Sequence, residues 1–122
     1  MKLLRYGRVG HEKPGLLAAD GVIRDLSAVV DDIAGDVLTT AGLGRLRALN
    51  PSALPIVSGA PRYGAPIGHV SKFICVGLNF ADHAAESGMA VPEQPVIFMK
   101  ATTAIVGPND DVIIPRGSEK TD

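Results

Sequence analysis

Glycine and proline punctuate this chain more tightly than anything else in it, with 14 Gly and 9 Pro in 122 residues. Proline cannot donate a backbone hydrogen bond and glycine lowers the cost of turning, so the pattern favours short strands joined by tight turns over long helices. Hydrophobic residues at 46% and charged residues at 20% are ordinary for a chain that buries a core. The length suits one ordinary domain, or one small module plus the start of a second. The expected class is α+β, mainly β.

The local signals fill in that outline. Gly15 to Ala19 and Val22 to Leu26 flank Asp20-Gly21, a dipeptide that accepts the positive backbone angles of a hairpin turn. Ser27 is the expected cap of a short helix over residues 28–33. Leu43, Leu46 and Leu49 recur every third residue after Thr39 and Thr40, as one face of a helix that Asn50-Pro51 stops, and core packing explains that stripe. Residues 58–68, S-G-A-P-R-Y-G-A-P-I-G, are too broken for a regular element and mark a boundary. The division expected is therefore 1–68, a small N-terminal α+β module, and 69–122. In the second part, Phe73 to Leu78 reads as a buried strand ended by a turn at Gly77 and Asn79. A short helix capped by Asn79 or Asp82 and closed by Gly88 follows. Val96 to Lys100 and Asp111 to Pro115 read as two further strands, with a turn at Gly107-Pro108 between them.

Composition excludes several functions. Twelve Lys and Arg against 13 Asp and Glu leave a formal net charge of -1, and the cations are scattered rather than gathered in a stripe, so nucleic acid is not an expected partner. The start, M-K-L-L-R-Y-G-R-V-G, is charged and lacks an apolar core, and no later run reaches membrane-spanning length, which makes a membrane partner unexpected and the cytoplasm the expected compartment. The lone Cys75, among Phe73, Ile74 and Val76, reads as a buried strand thiol without a chemical role.

The chemistry concentrates at His83 and Glu86. Three residues apart on a helix, they project from the same face, where a carboxylate can fix the imidazole tautomer and leave the other ring nitrogen to take a proton. The logic is that of the base and orienting acid of a hydrolytic triad, without the serine. On spacing alone, H-x-x-E is common as a solvated surface pair. Its place directly after a strand and a Gly and Asn turn, where end loops reach clefts, favours chemistry.

The string C-V-G-L-N-F-A-D-H-A-A-E-S-G resembles the fumarylacetoacetate hydrolase superfamily pattern of a hydrophobic strand, G-x-N-Y, and an H-x-x-E pair. P-V-I-F-M-K and I-V-G-P-N-D-D-V-I-I-P resemble the family's next block, in the same order. Phe80 stands where many members have tyrosine, which keeps a ring and loses a hydroxyl. The resemblance implies a small N-terminal module leading into a mixed β-roll, and a homodimer when complete. It implies His83 as general base, Glu86 as its orienting partner, and Lys100 reaching a substrate carboxylate or a developing negative oxygen. For Lys100 a strand-end lysine in solvent is the competing reading; Asn79 would shape the substrate cleft, although turn formation also explains it.

Members of the family hold magnesium or manganese through an E-x-E pair and a later Asp. No Glu-x-Glu occurs here, so no metal ligands are assigned, and the closing G-S-E-K-T-D resembles the segment before that pair. Asp110-Asp111 is read as serving the turn after Gly107-Pro108. The expectation is the N-terminal part of a metal-dependent enzyme that cleaves or isomerises small 2-oxo or 2-hydroxy acids, ureidoglycolate lyase-like or a diketo acid C-C hydrolase, and inactive as this piece alone. Strand edges left without partners are expected to be exposed and prone to aggregation. From a different class, a non-catalytic binding or oligomerisation module retaining the fold would carry the same elements.

Overall fold

A computed structural model describes residues 1–119. Strands β1 (Lys2–Tyr6), β2 (Lys13–Leu17) and β3 (Ile23–Asp25) form an antiparallel sheet in the order β1-β2-β3. Helix α1 (Thr40–Arg47) follows, then β4 (Phe73–Gly77), helix α2 (Ala81–Glu86) and β5 (Val96–Lys100). Strands β4 and β5 pair antiparallel as a separate two-stranded sheet. Two compact units result among the described residues: residues 1–68 with 106–119, and residues 69–105. The segment from Val106 thus packs with the first unit rather than continuing the second, as a single division at 68/69 would have it.

The β2–β3 hairpin forms where Asp20-Gly21 predicts it, with a longer turn. Gly21 N–H donates to Ala18 O (3.1 Å), Ala18 N–H donates to Val22 O (3.0 Å), and Gly21 takes φ 78°. That is a three-residue loop ending on a left-handed glycine, with Asp20 Oδ1 accepting from Val22 N–H at 3.0 Å.

The helix expected over residues 28–33 is one turn only. Val29 and Val30 N–H both donate to Leu26 O (2.8 and 3.0 Å), and the residue that accepts at the turn is Asp25, whose Oδ1 takes the Ser27 N–H at 2.7 Å. The turn cannot propagate because Asp32 faces Arg5 and its own neighbour's Ile33 N–H, and Gly35 then turns left-handed at φ 48°. In contrast, α1 forms over Leu43 and Leu46 but ends at Arg47, before Leu49 and the expected stop at Asn50-Pro51. Thr39 Oγ1 caps it by accepting Gly42 N–H at 3.1 Å.

The core lies in the first unit, where Leu16, Leu26, Ile33 and Leu46 are buried and Leu3, Val30, Val37, Leu38, Leu49 and Leu54 pack against them. Beside it Tyr6 is buried, and removal from water, then its hydrogen bond to the Asp25 carboxylate and that group's charge, push its phenol up to about 12.

The second unit departs further from expectation. Strand β4 forms, but alternate side chains, Ile74 and Val76, are exposed and Cys75 is half-buried, so it is not a buried strand. All of β5 is exposed. No strand forms at 111–115 in the first unit, where Val112, Ile113 and Ile114 stand in solvent without a backbone partner strand. Apolar, β-branched composition there is not enough without an edge to pair with. No helix among the described residues is long and apolar enough to cross a membrane.

Candidate active site

The residues singled out for chemistry all lie in the second unit. Strand β4 ends at Gly77, and the chain reverses through Leu78, a non-glycine residue at φ 50°. A leucine in the left-handed region costs roughly 1–2 kcal/mol, because its Cβ crowds the following carbonyl. The turn expected on Gly77 and Asn79 is thus made by the residue between them.

Helix α2 begins with Phe80 at its N-cap, and neither Asn79 nor Asp82 caps it. Asp82 lies inside the first turn and its Oδ1 accepts the adjacent His83 N–H at 2.8 Å. The C-terminus closes on Gly88, as predicted. Gly88, at φ 65°, donates its N–H to Ala85 O (3.1 Å), and Met89 N–H donates to Ala84 O (2.9 Å). These are the paired bonds of a Schellman motif.

Within α2 the only buried residue is Ala84. At 3.6 residues per turn, His83 and Glu86 lie about 60° apart around the axis, while Ala84 lies about 100° from His83 and about 160° from Glu86. The alanine therefore packs one side of the helix and leaves the imidazole and carboxylate together on the other, both exposed. No hydrogen bond or ion pair joins them among the described residues. An exposed pair on one face needs only a side-chain rotation to meet.

Asn79 is exposed at the Gly77 end of the β4–β5 ladder. Lys100 is exposed at the other end, in register with Phe73, and the ladder between Phe73 and Gly77 is four residue steps, about 13 Å, long. The backbone ladder does not bring Lys100 and Asn79 together.

No group of three or more His, Cys, Asp or Glu side chains that could hold a metal ion occurs among the described residues. Asp110 serves the turn after Gly107-Pro108, accepting Gly107 N–H at 2.7 Å and binding Arg62.

Sequence reasoning missed the charged cluster of the first unit. Arg5 and Arg62 sit among Glu12, Asp32 and Asp110, five side chains only 10–26% exposed. Asp110 is held below the usual carboxylate range by its hydrogen bond from Arg62 and then by Gly107 N–H. For Glu12, burial raises the carboxyl, but the hydrogen bond from Arg62, a backbone hydrogen bond and the charges of both arginines outweigh it and the net shift is downward. Nothing local in the sequence marks these residues, whose partners are as far apart as positions 12 and 62.

Comparison with known proteins adds to this geometry. Residues 72–122 match the family model described as fumarylacetoacetate (FAA) hydrolase C-terminal. The whole chain is 66% identical to a "putative hydrolase" of Burkholderia lata and 67% identical to one of Burkholderia multivorans, in each case over 43% of the relative. The chain thus spans less than half the length of these curated relatives. A crystal structure of a "putative HpcE protein" from Mycobacterium smegmatis superposes with a TM-score of 0.66 at 28% identity, covering 97% of this chain and 42% of that one.

Proposed function

This chain belongs, through residues 72–122, to the fumarylacetoacetate hydrolase superfamily, and from that premise we propose that it supplies the acid/base half of a hydrolase or lyase acting on small 2-oxo or 2-hydroxy acids. Its fold, mixed α and β with strands dominant, is similar to that of the "putative HpcE protein" over the matched part. The observation that carries the proposal is the pair itself. His83 and Glu86 stand on one solvent-facing side of α2, directly after β4, inside the matched segment.

In the hydrolytic version, the His83 imidazole takes a proton from water as the oxygen attacks a substrate ketone. The carbon-carbon bond then breaks, and the imidazolium returns its proton to the departing carbanion. In the lyase version His83 takes the proton of a 2-hydroxyl, the carbon-nitrogen bond breaks as the carbonyl of glyoxylate forms, and the imidazolium gives the proton to the leaving nitrogen, which departs as urea. Glu86 orients the ring and supports its charge in both. Lys100 is assigned to the substrate carboxylate, a task for a compact cation, and Asn79 to the cleft wall.

The magnesium or manganese ion that the family implies has no ligand set among the described residues. The roles proposed for His83, Glu86, Lys100 and Asn79 are proton transfer and substrate positioning.

The test uses the intact protein, assayed with manganese against acylpyruvates and ureidoglycolate. His83→Ala should lower turnover by about 10²- to 10⁴-fold, the usual worth of a positioned general base, with metal binding nearly unchanged. Turnover equal to wild type would remove His83 from the mechanism. An intact protein that is inert across the panel would favour a non-catalytic module built on the same fold.

A further inference from the structure

The second unit is an excursion of the chain, which leaves the first unit after Gly68 and returns at Val106. The two stems of that excursion have unusual packing in common. A Cβ built on Gly68 would meet Asp32 Oδ2 at 2.2 Å, and one built on Gly107 would meet Tyr63 O at 2.2 Å and Asp110 Oδ2 at 2.9 Å. Each stem is therefore a glycine because an aspartate carboxylate, with backbone as well at Gly107, lies where a side chain would be. Both stems are also hydrogen-bonded, Gly68 N–H to Ile33 O (2.9 Å) and Gly107 N–H to Asp110 Oδ2 (2.7 Å).

Those two aspartates are the ends of one continuous run of alternating charges. Asp32 takes Arg5 in a two-point contact, Nε to Oδ1 at 2.6 Å and Nη2 to Oδ2 at 3.1 Å. Arg5 Nη2 lies 3.8 Å from Glu12 Oε2. Glu12 Oε1 accepts from Arg62 Nη1 at 2.9 Å. Arg62 closes the run on Asp110, Nε to Oδ1 at 2.6 Å with Nη2 on Oδ2. Each arginine also reaches backbone beside the run, Arg5 at Ala65 O (3.4 Å) and Arg62 at Gly7 O (3.1 Å). Glu12 is the middle member, and Gly64 admits it, since a Cβ there would meet Glu12 Cγ at 2.6 Å.

We propose that Asp32, Arg5, Glu12, Arg62 and Asp110 form a charged clamp that fixes both stems of the 69–105 excursion to each other. Two-point arginine–carboxylate contacts resist rotation as well as separation, which a single lysine contact would not. Fixing the stems removes conformations from the excursion, so releasing them raises the entropy of its open forms and lowers the free energy of local opening there. The core around Leu16, Leu26, Ile33 and Leu46 contains none of the five and should be untouched. This inference does not depend on the proposed chemistry.

Hydrogen exchange followed by mass spectrometry on the intact protein tests it, comparing wild type with Asp110→Asn and Glu12→Gln. Either variant should speed exchange of β4 and β5 amides at least fivefold while leaving β1–β3 within twofold. Equal acceleration of both sheets would mean general destabilisation and overturn the clamp, as would no acceleration of β4 and β5. Should Glu12→Gln fail to fold, Arg62→Lys keeps the charge and loses the two-point contact. It should produce the same selective effect, and unchanged exchange in that variant would equally overturn the proposal.

Discussion

At the scale of single residues, geometry decides roles that residue type leaves open. Asp110 was legible as a turn residue after Gly107-Pro108, and it does accept Gly107 N–H. Its bond to Arg62, across a separation of 48 positions, was not legible, because no local pattern encodes a partner that folding alone brings near. That bond has a pH consequence. Asp110 is held below its unfolded value of 3.8, so the unfolded chain binds more protons than the folded one in the acid range. Stability from this group is complete above that value and is lost as pH falls through the depressed folded pKa. Asp110→Asn should therefore flatten the acid limb of a stability-versus-pH curve measured by urea unfolding, with Glu12, Arg62 and Arg5 the charges facing the site. A variant whose acid limb is as steep as wild type would remove Asp110 from the acid response. Leu78 teaches the same lesson from the backbone side, since nothing about leucine announces a left-handed residue at the end of β4.

At the scale of elements, the Thr39 cap and the Gly88 stop held, whereas the caps expected at Ser27 and at Asn79 or Asp82 did not form. The repeat after Thr39 became α1 over Leu43 and Leu46, and Gly88 ended α2, because side-chain caps and left-handed glycines act on backbone groups a few residues away. Thr39→Ala removes the acceptor for Gly42 N–H and should cost about 1 kcal/mol in a thermal or denaturant unfolding measurement. A loss below a few tenths would show that the cap is idle. The helix at 28–33 failed for a reason of the same kind in reverse. Asp25 supplies the local acceptor, and Asp32 is drawn to Arg5 before a second turn can form. The strand at 111–115 failed because pairing requires an edge, and among the described residues no strand offers one to it.

At the scale of the whole molecule, the two units differ in how well they satisfy themselves. The first unit has a buried cluster and a closed charge run. The β4–β5 pair leaves apolar side chains in solvent, with Ile97 at 59% and Met99 at 66% exposed on a two-stranded sheet that no other strand among the described residues extends. Exposed apolar edges template association. The 122-residue chain prepared alone should show concentration-dependent light scattering, and Ile97→Lys with Met99→Lys should reduce it several-fold. Scattering unaffected by the double variant would place the sticky surface elsewhere, for instance at Val112 to Ile114.

By itself the sequence determined the class of fold, the β2–β3 hairpin, α1, the closure of α2 and the shared helical face of His83 and Glu86. All of these are set by interactions within a few residues or by a motif that reads along one strand and one helix. Only the tertiary structure decided that the chain returns to its first unit at Val106, that Arg5 and Arg62 bridge three distant carboxylates, and that Lys100 and Asn79 occupy opposite ends of a ladder. Those outcomes depend on which segments meet when apolar surface is buried, and contacts between positions tens of residues apart leave no periodicity to read.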